Sequence, residues 1–140
     1  MYNSERYRKN FENKKIKENI TSNNKKLIEI RDLLSNNKLK FLEEIENFTK
    51  NINITSNQLR NLYDIVVNMN IEDSKDVEKK LLKLRITLEY AYRRETIKDN
   101  NFYYCMKEAI EDTLQNSKDL NKVNNFLQMF ESIVAYSKVR

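Results

Sequence analysis

The sequence predicts an all-α protein: a compact five- to six-helix bundle with one long central basic helix. Three observations carry this. The 140 residues contain no glycine and no proline, where ordinary usage would supply about ten and seven. Glycine serves the left-handed positions of tight hairpins and proline serves rigid turns, so a hairpin-rich β fold lacks its materials. Apolar residues recur at three- and four-residue intervals along most of the chain, no strand-like alternation competes, and short polar breaks rich in Asn separate the periodic stretches.

The elements follow in order. Residues 1–26 carry only sparse apolar positions (Tyr7, Phe11, Ile16, Ile20), so this stretch is expected to be partly helical or disordered until it meets a partner. Leu27, Ile30 and Leu34 form a better stripe over 26–35, which Ser35-Asn36-Asn37 breaks. The expected division is a basic N-terminal arm over 1–37 and a helical bundle over 38–140. A helix over 38–50 places Leu39, Leu42, Ile45 and Phe48 in register. Thr55-Ser56-Asn57-Gln58 fits a capping box, with Thr55 as N-cap and Gln58 reaching back. The helix it opens is expected to run to about Asn70, with Leu59, Leu62, Tyr63 and Val66 on one face.

Asp73 or Ser74 should cap the longest helix, about 74–98, whose stripe is Val77, Leu81, Leu84, Leu88 and Ala91. Asp99-Asn100-Asn101 breaks it. A helix over 101–116 presents Phe102, Cys105 or Met106, Ala109, Ile110 and Leu114. The last, 119–138, presents Val123, Phe126, Leu127, Phe130, Ile133, Val134 and Ser137. Without glycine, the helix ends are expected to place Asn in the left-handed conformation, at 36–37, 51–53, 68–70 and 100–101.

Charge is uneven. Residues 1–40 hold eleven basic and five acidic side chains; residues 41–140 hold fifteen and sixteen. A basic arm on a near-neutral body suggests a polyanionic partner, either nucleic acid or an acidic membrane. The single Cys105 cannot form an internal disulfide, and no signal-like or membrane-spanning apolar run is present, so the expected location is cytoplasmic. Much familiar chemistry is excluded. Without glycine there is no P-loop, dinucleotide fingerprint or ordinary EF-hand loop. Without histidine there is no Ser-His-Asp or Cys-His pair and no HExxH zinc helix. One cysteine excludes a thiolate zinc site. The acidic groups Glu43, Glu44 and Glu46, and Asp73 and Asp76, read as a solvated face and a helix N-terminus. No catalytic residue, metal or cofactor is expected.

The long helix carries a second face. At about 100° per residue, Lys79, Lys83 and Arg94 fall close together around Tyr90, with Lys80 at the border and Arg85 and Arg93 on a neighbouring flank. Basic side chains over about four turns can follow a phosphate backbone, and Tyr90 can stack or hydrogen-bond. The plainer reading is a solvated outer face.

Three blocks in order carry a resemblance: Thr55-Ser56-Asn57-Gln58-Leu59-Arg60-Asn61, then LLKLRITLEYAYRR from Leu81 to Arg94, then FLQMFESIVAYSK from Phe126 to Lys138. Over roughly residues 40–140 the chain resembles the small all-helical subunit of type III-A CRISPR interference complexes, the Csm effector. The resemblance implies a non-catalytic RNA-binding protein of antiviral defence. Several copies would stack head to tail beside other Csm subunits and contact the backbone of the crRNA–target RNA duplex. It adds Arg60 from the opening block, and Tyr136 and Lys138 match its closing block. The expected RNA-binding set is Arg60, Lys79, Lys80, Lys83, Arg85, Tyr90, Arg93 and Arg94, of which the resemblance carries Arg60, Lys79, Lys80, Lys83, Tyr90 and Arg94. The chain departs from the family pattern at Ile86-Thr87, where a Pro-Lys pair is expected, and at Arg93, where a glycine is expected. Two other readings stay open: a helical protein-interaction adaptor docking a partner through Tyr92, Phe102 or Tyr103, and an enzyme with an unusual Lys/Glu/Tyr site.

Overall fold

The computed structural model describes residues 24–137. Tyr7, Phe11, Ile16, Ile20 and Lys138 lie outside the described residues. Within them the chain is all-α, with six helices: α1 (Lys26–Leu33), α2 (Lys38–Lys50), α3 (Ser56–Tyr63), α4 (Ser74–Arg93), α5 (Asn100–Gln115) and α6 (Leu120–Tyr136). The most extensive contact joins α4 to α5. On the other side of α5, α1 packs against α5, α2 and α6, and α6 also receives α2 and α3. The packed body therefore includes α1, a segment assigned from sequence to the arm, with Leu27 and Ile30 fully buried.

Five helices begin on a polar cap. Asn37, Thr55, Asp73, Asp99 and Asp119 each hold extended backbone and accept a backbone N–H of the first turn, worth about 1 kcal/mol apiece. Thr55 and Gln58 complete the expected capping box, with both hydrogen bonds at 3.1 Å. Gln58 also donates through Nε2 to the Thr96 carbonyl at 2.7 Å, which ties the start of α3 to the chain leaving α4.

The helix ends correct the expectation about asparagine. Asn51 and Asn116 close α2 and α5 at φ of −100° and −112°, outside the left-handed region. Their side chains act instead. Nδ2 of Asn36, Asn51 and Asn116 donates to the carbonyl four residues back, at 3.1, 2.8 and 2.7 Å, filling acceptors that a helix end leaves open. Among the described residues the only left-handed position is Glu95, at φ 60°. There the Thr96 N–H bonds the Ala91 carbonyl at 2.9 Å and the Glu95 N–H bonds Tyr92 at 3.1 Å, the paired closure of a Schellman turn. That turn stops α4 at Arg93 rather than near 98 and drops Ile97 into the core. Similarly, α3 stops at Tyr63, and turns carry the chain on through Val66, which is fully buried.

The core follows most of the stripes. Val77, Leu81, Leu84 and Leu88 of α4 are fully buried, as are Phe102, Met106, Ala109 and Ile110 of α5 and Val123, Phe126, Phe130 and Ile133 of α6. On α2 the stripe is rotated: Phe41, Ile45 and Phe48 face the core, whereas Leu39 is 80% exposed and Leu42 is also exposed. Inside the same core sits a charge that the stripes did not anticipate. Arg31 is 1% exposed. Its Nη1 donates to Thr113 Oγ1 at 2.9 Å and lies 2.7 Å from Asp112 Oδ2, while Nε donates to Asp32 Oδ1 at 3.0 Å. The contacts to Thr113 and Asp112 fasten α1 to α5.

Two stability predictions follow from this geometry. Arg31→Ala strands the Thr113 hydroxyl and Asp112 and empties the site, so urea unfolding should show a loss of about 3 kcal/mol; Arg31→Met, which keeps the packed stem, should lose about half that. Glu95→Gly should raise stability by about 0.5–1 kcal/mol, because glycine removes the Cβ penalty at positive φ, whereas Glu95→Val should lower it.

Candidate nucleic-acid interface

Burial of one stripe of α4 turns the opposite side outward. Counting about 100° per residue, Lys79, Lys83, Ile86, Tyr90 and Arg94 share that outer side, over an axial rise of about 22 Å. Lys79 and Lys83 are exposed and form no ion pair among the described residues. Tyr90 is 60% exposed, and the Arg94 guanidinium stacks on its ring with Cζ 4.9 Å from the centroid. The structure thus brings together four of the sequence-derived candidates on one surface.

The other candidates are placed differently. Lys80 is half-buried, pairs with Asp76 at 3.2 Å and donates to the Asn68 carbonyl at 3.2 Å, so its ammonium holds the turn before α4. Arg85 is the centre of an ion network. Its Nε donates to Glu111 Oε2 at 2.8 Å, its Nη2 donates to Glu89 Oε1 at 2.9 Å, and its guanidinium lies over the Tyr103 ring. Arg93 is exposed but donates through Nε to Glu89 Oε2 at 2.8 Å. Arg60 is exposed on α3, outside the α4 stripe.

Glu89 is the residue that the charge count overlooked. It accepts from Arg85, Arg93 and the Tyr103 hydroxyl, the last at 2.5 Å. These bonds, Tyr103 first and then Arg93, hold its carboxyl down to about 2. Burial, and then the bond to Glu89, pushes the Tyr103 hydroxyl up to about 12. For Arg85 burial opposes the charge, but the bonds to Glu111 and Glu89 outweigh it and raise its pKa. The spacing of Arg85, Glu89 and Arg93 at i, i+4 and i+8 was a legible signal for paired charges; the contribution of Glu111 from α5 was not.

Ridges 85–89–93 and 86–90–94 run side by side along α4 and enclose an open groove of about 540 Å³, lined by Arg85, Ile86, Glu89, Tyr90, Arg93 and Arg94. Its lining is apolar at Ile86, which is 59% exposed, and includes three guanidinium groups. The residues offered for docking a protein are not displayed this way. Phe102 is fully buried, Tyr103 is buried, and Tyr92 is half-buried and stacked on Tyr103 with centroids 3.7 Å apart. Cys105 is also buried, and burial pushes its thiol up to about 11, well away from a reactive thiolate.

A family model, Csm2 Type III-A, matches residues 35–140. The chain belongs to the Csm2 type III-A family. Membership makes it the small subunit of a type III-A Csm complex, associated with other Csm subunits. The match spans α2 to α6 and therefore the whole basic face of α4. Comparison with curated proteins and with solved structures gives no match. Among the described residues no helix is long and apolar enough to cross a membrane.

The charge network sets a pH dependence. Glu89 has a depressed folded pKa, so its contribution is complete above its ordinary value of 4.5 and is lost as pH falls from there towards about 2. Tyr103 has a raised folded pKa, so its contribution is complete below 10.0 and is lost as pH rises towards about 12. Urea midpoints of Glu89→Gln and the parent chain should differ most between these limits and converge as acid protonates Glu89; a gap that persists to pH 2 would contradict the assignment.

Proposed function

We propose that this chain is a non-catalytic RNA-holding subunit of the type III-A effector, and that the outer face of α4 contacts the sugar–phosphate backbone of the crRNA–target RNA duplex. Copies stack head to tail along that duplex, and cleavage belongs to other subunits. Family membership supports the assembly, and one observation supports the surface: Lys79, Lys83 and Arg94 are exposed along one rigid helix whose opposite side is fully buried.

The chemistry suits the task. A guide duplex must be held whatever its sequence, so contacts belong on phosphates rather than base edges. Long Lys and Arg stems on a fixed helix reach phosphates without reading bases. Arg85 and Lys80 are occupied within the protein and serve the scaffold. Arg93, held by Nε alone, keeps its Nη groups for a phosphate.

Replacing Lys79, Lys83 and Arg94 together with Ala removes three phosphate contacts. In a salt series the slope of log K against log salt should fall by about 3 in magnitude, at about 0.9 per duplex contact. Unfolding should be unchanged, because the three side chains are exposed. An unaltered slope would remove α4 as the RNA face.

A further inference from the structure

Phosphate binding accounts for the cations of α4 but not for the apolar groups between them. Leu82, Ile86 and Tyr90 follow one another at i, i+4 and i+8 on the outer face, exposed by 51%, 59% and 60%. Scattered exposed apolar residues need no explanation; three in one ridge beside a groove do. The groove also has a definite polarity. Of its three guanidinium groups, Arg85 is held by Glu89 and Glu111, which leaves Arg94 and the Nη groups of Arg93 as the available cations, and its one carboxylate, Glu89, is already occupied by Arg85, Arg93 and Tyr103. What fits is planar, apolar on its faces and joined to an anion.

We propose that this groove takes one unpaired nucleobase of a bound RNA strand, stacked against Tyr90 and Ile86, with the adjoining phosphate on Arg93 and Arg94. The inference rests on the RNA-holding reading above and adds a base-binding subsite to it. Arg94 lies over the Tyr90 ring, yet the residue remains 60% exposed, so it offers a stacking platform. Stacking on an aromatic side chain is tolerant of base identity, as a subsite on a guide of any sequence requires. A partner helix laid in the same groove would need acidic side chains to meet Arg93 and Arg94 and would show no dependence on RNA structure.

The test uses the full chain and two RNA duplexes that share one sequence and one bulged position. One carries a nucleotide at the bulge, and the other carries an abasic residue with the same phosphate. The parent chain should bind the base-bearing duplex roughly fivefold or more tightly. Tyr90→Ala should erase that preference and Tyr90→Phe should keep it. Equal binding of the two duplexes by the parent chain overturns the proposal, as does a Tyr90→Ala loss that is the same for both. Failure of the RNA-holding reading looks different, because binding to every RNA would then be insensitive to Lys79, Lys83 and Arg94.

Discussion

The burial of a single stripe on α4 fixes which side of that helix meets the outside. Val77, Leu81, Leu84 and Leu88 are all fully buried. At about 1.5–3 kcal/mol for each such side chain, the stripe contributes about 6–12 kcal/mol against leaving it exposed. The partly exposed ion pairs around Glu89 contribute about 0–1 kcal/mol each. Burial therefore sets the rotation of α4, and the charges adjust to it. A turn of the helix by one residue would bury a lysine and expose a leucine.

Given that rotation, the cations of α4 separate into two groups. Lys80 and Arg85 lie at the edges of the buried stripe, where Asp76, Glu89 and Glu111 can reach them, and they are drawn into the scaffold. Lys79, Lys83, Arg93 and Arg94 point outward, and of these Arg93 still reaches Glu89 through Nε. The stacked Tyr92 and Tyr103 rings behind the network anchor the C-terminal half of α4 to α5. Arg31 performs the corresponding task for α1, through Thr113 and Asp112 of α5. Helix α5 thus joins the two ends of the bundle, and the basic face rides on it.

How much of this was legible depends on how local the cause is. The α4 stripe and the Thr55–Gln58 cap are set by residues within a few positions of one another, and both could be read directly. The α2 face was misread because a strict three-residue spacing drifts by about 60° per step: Leu39 and Leu42 swing away from the side of Ile45 and Phe48, while Phe41 shares it and is buried with them. Arg31 follows Ile30 in the stripe, but its partner Thr113 lies 82 residues away, and nothing nearby announces it. The end of α4 was hidden by Ile97, whose apolar side chain continues the helical pattern while its backbone has already turned at Glu95. Among the candidate RNA residues, helical phase put Lys79, Lys83, Tyr90 and Arg94 on one side of α4, as the structure does; it could not tell an exposed cation from one held across helices by Glu111.

What the proposed function requires above all is that RNA lie along the outer face of α4. Lysine acetylation read by mass spectrometry, with and without RNA, tests it most directly. Lys79 and Lys83 should be protected by RNA, while Lys40 on α2 and Lys118 in the turn between α5 and α6, both exposed, should react unchanged. Protection spread equally over all four lysines, or confined to Lys40 and Lys118, would contradict the account.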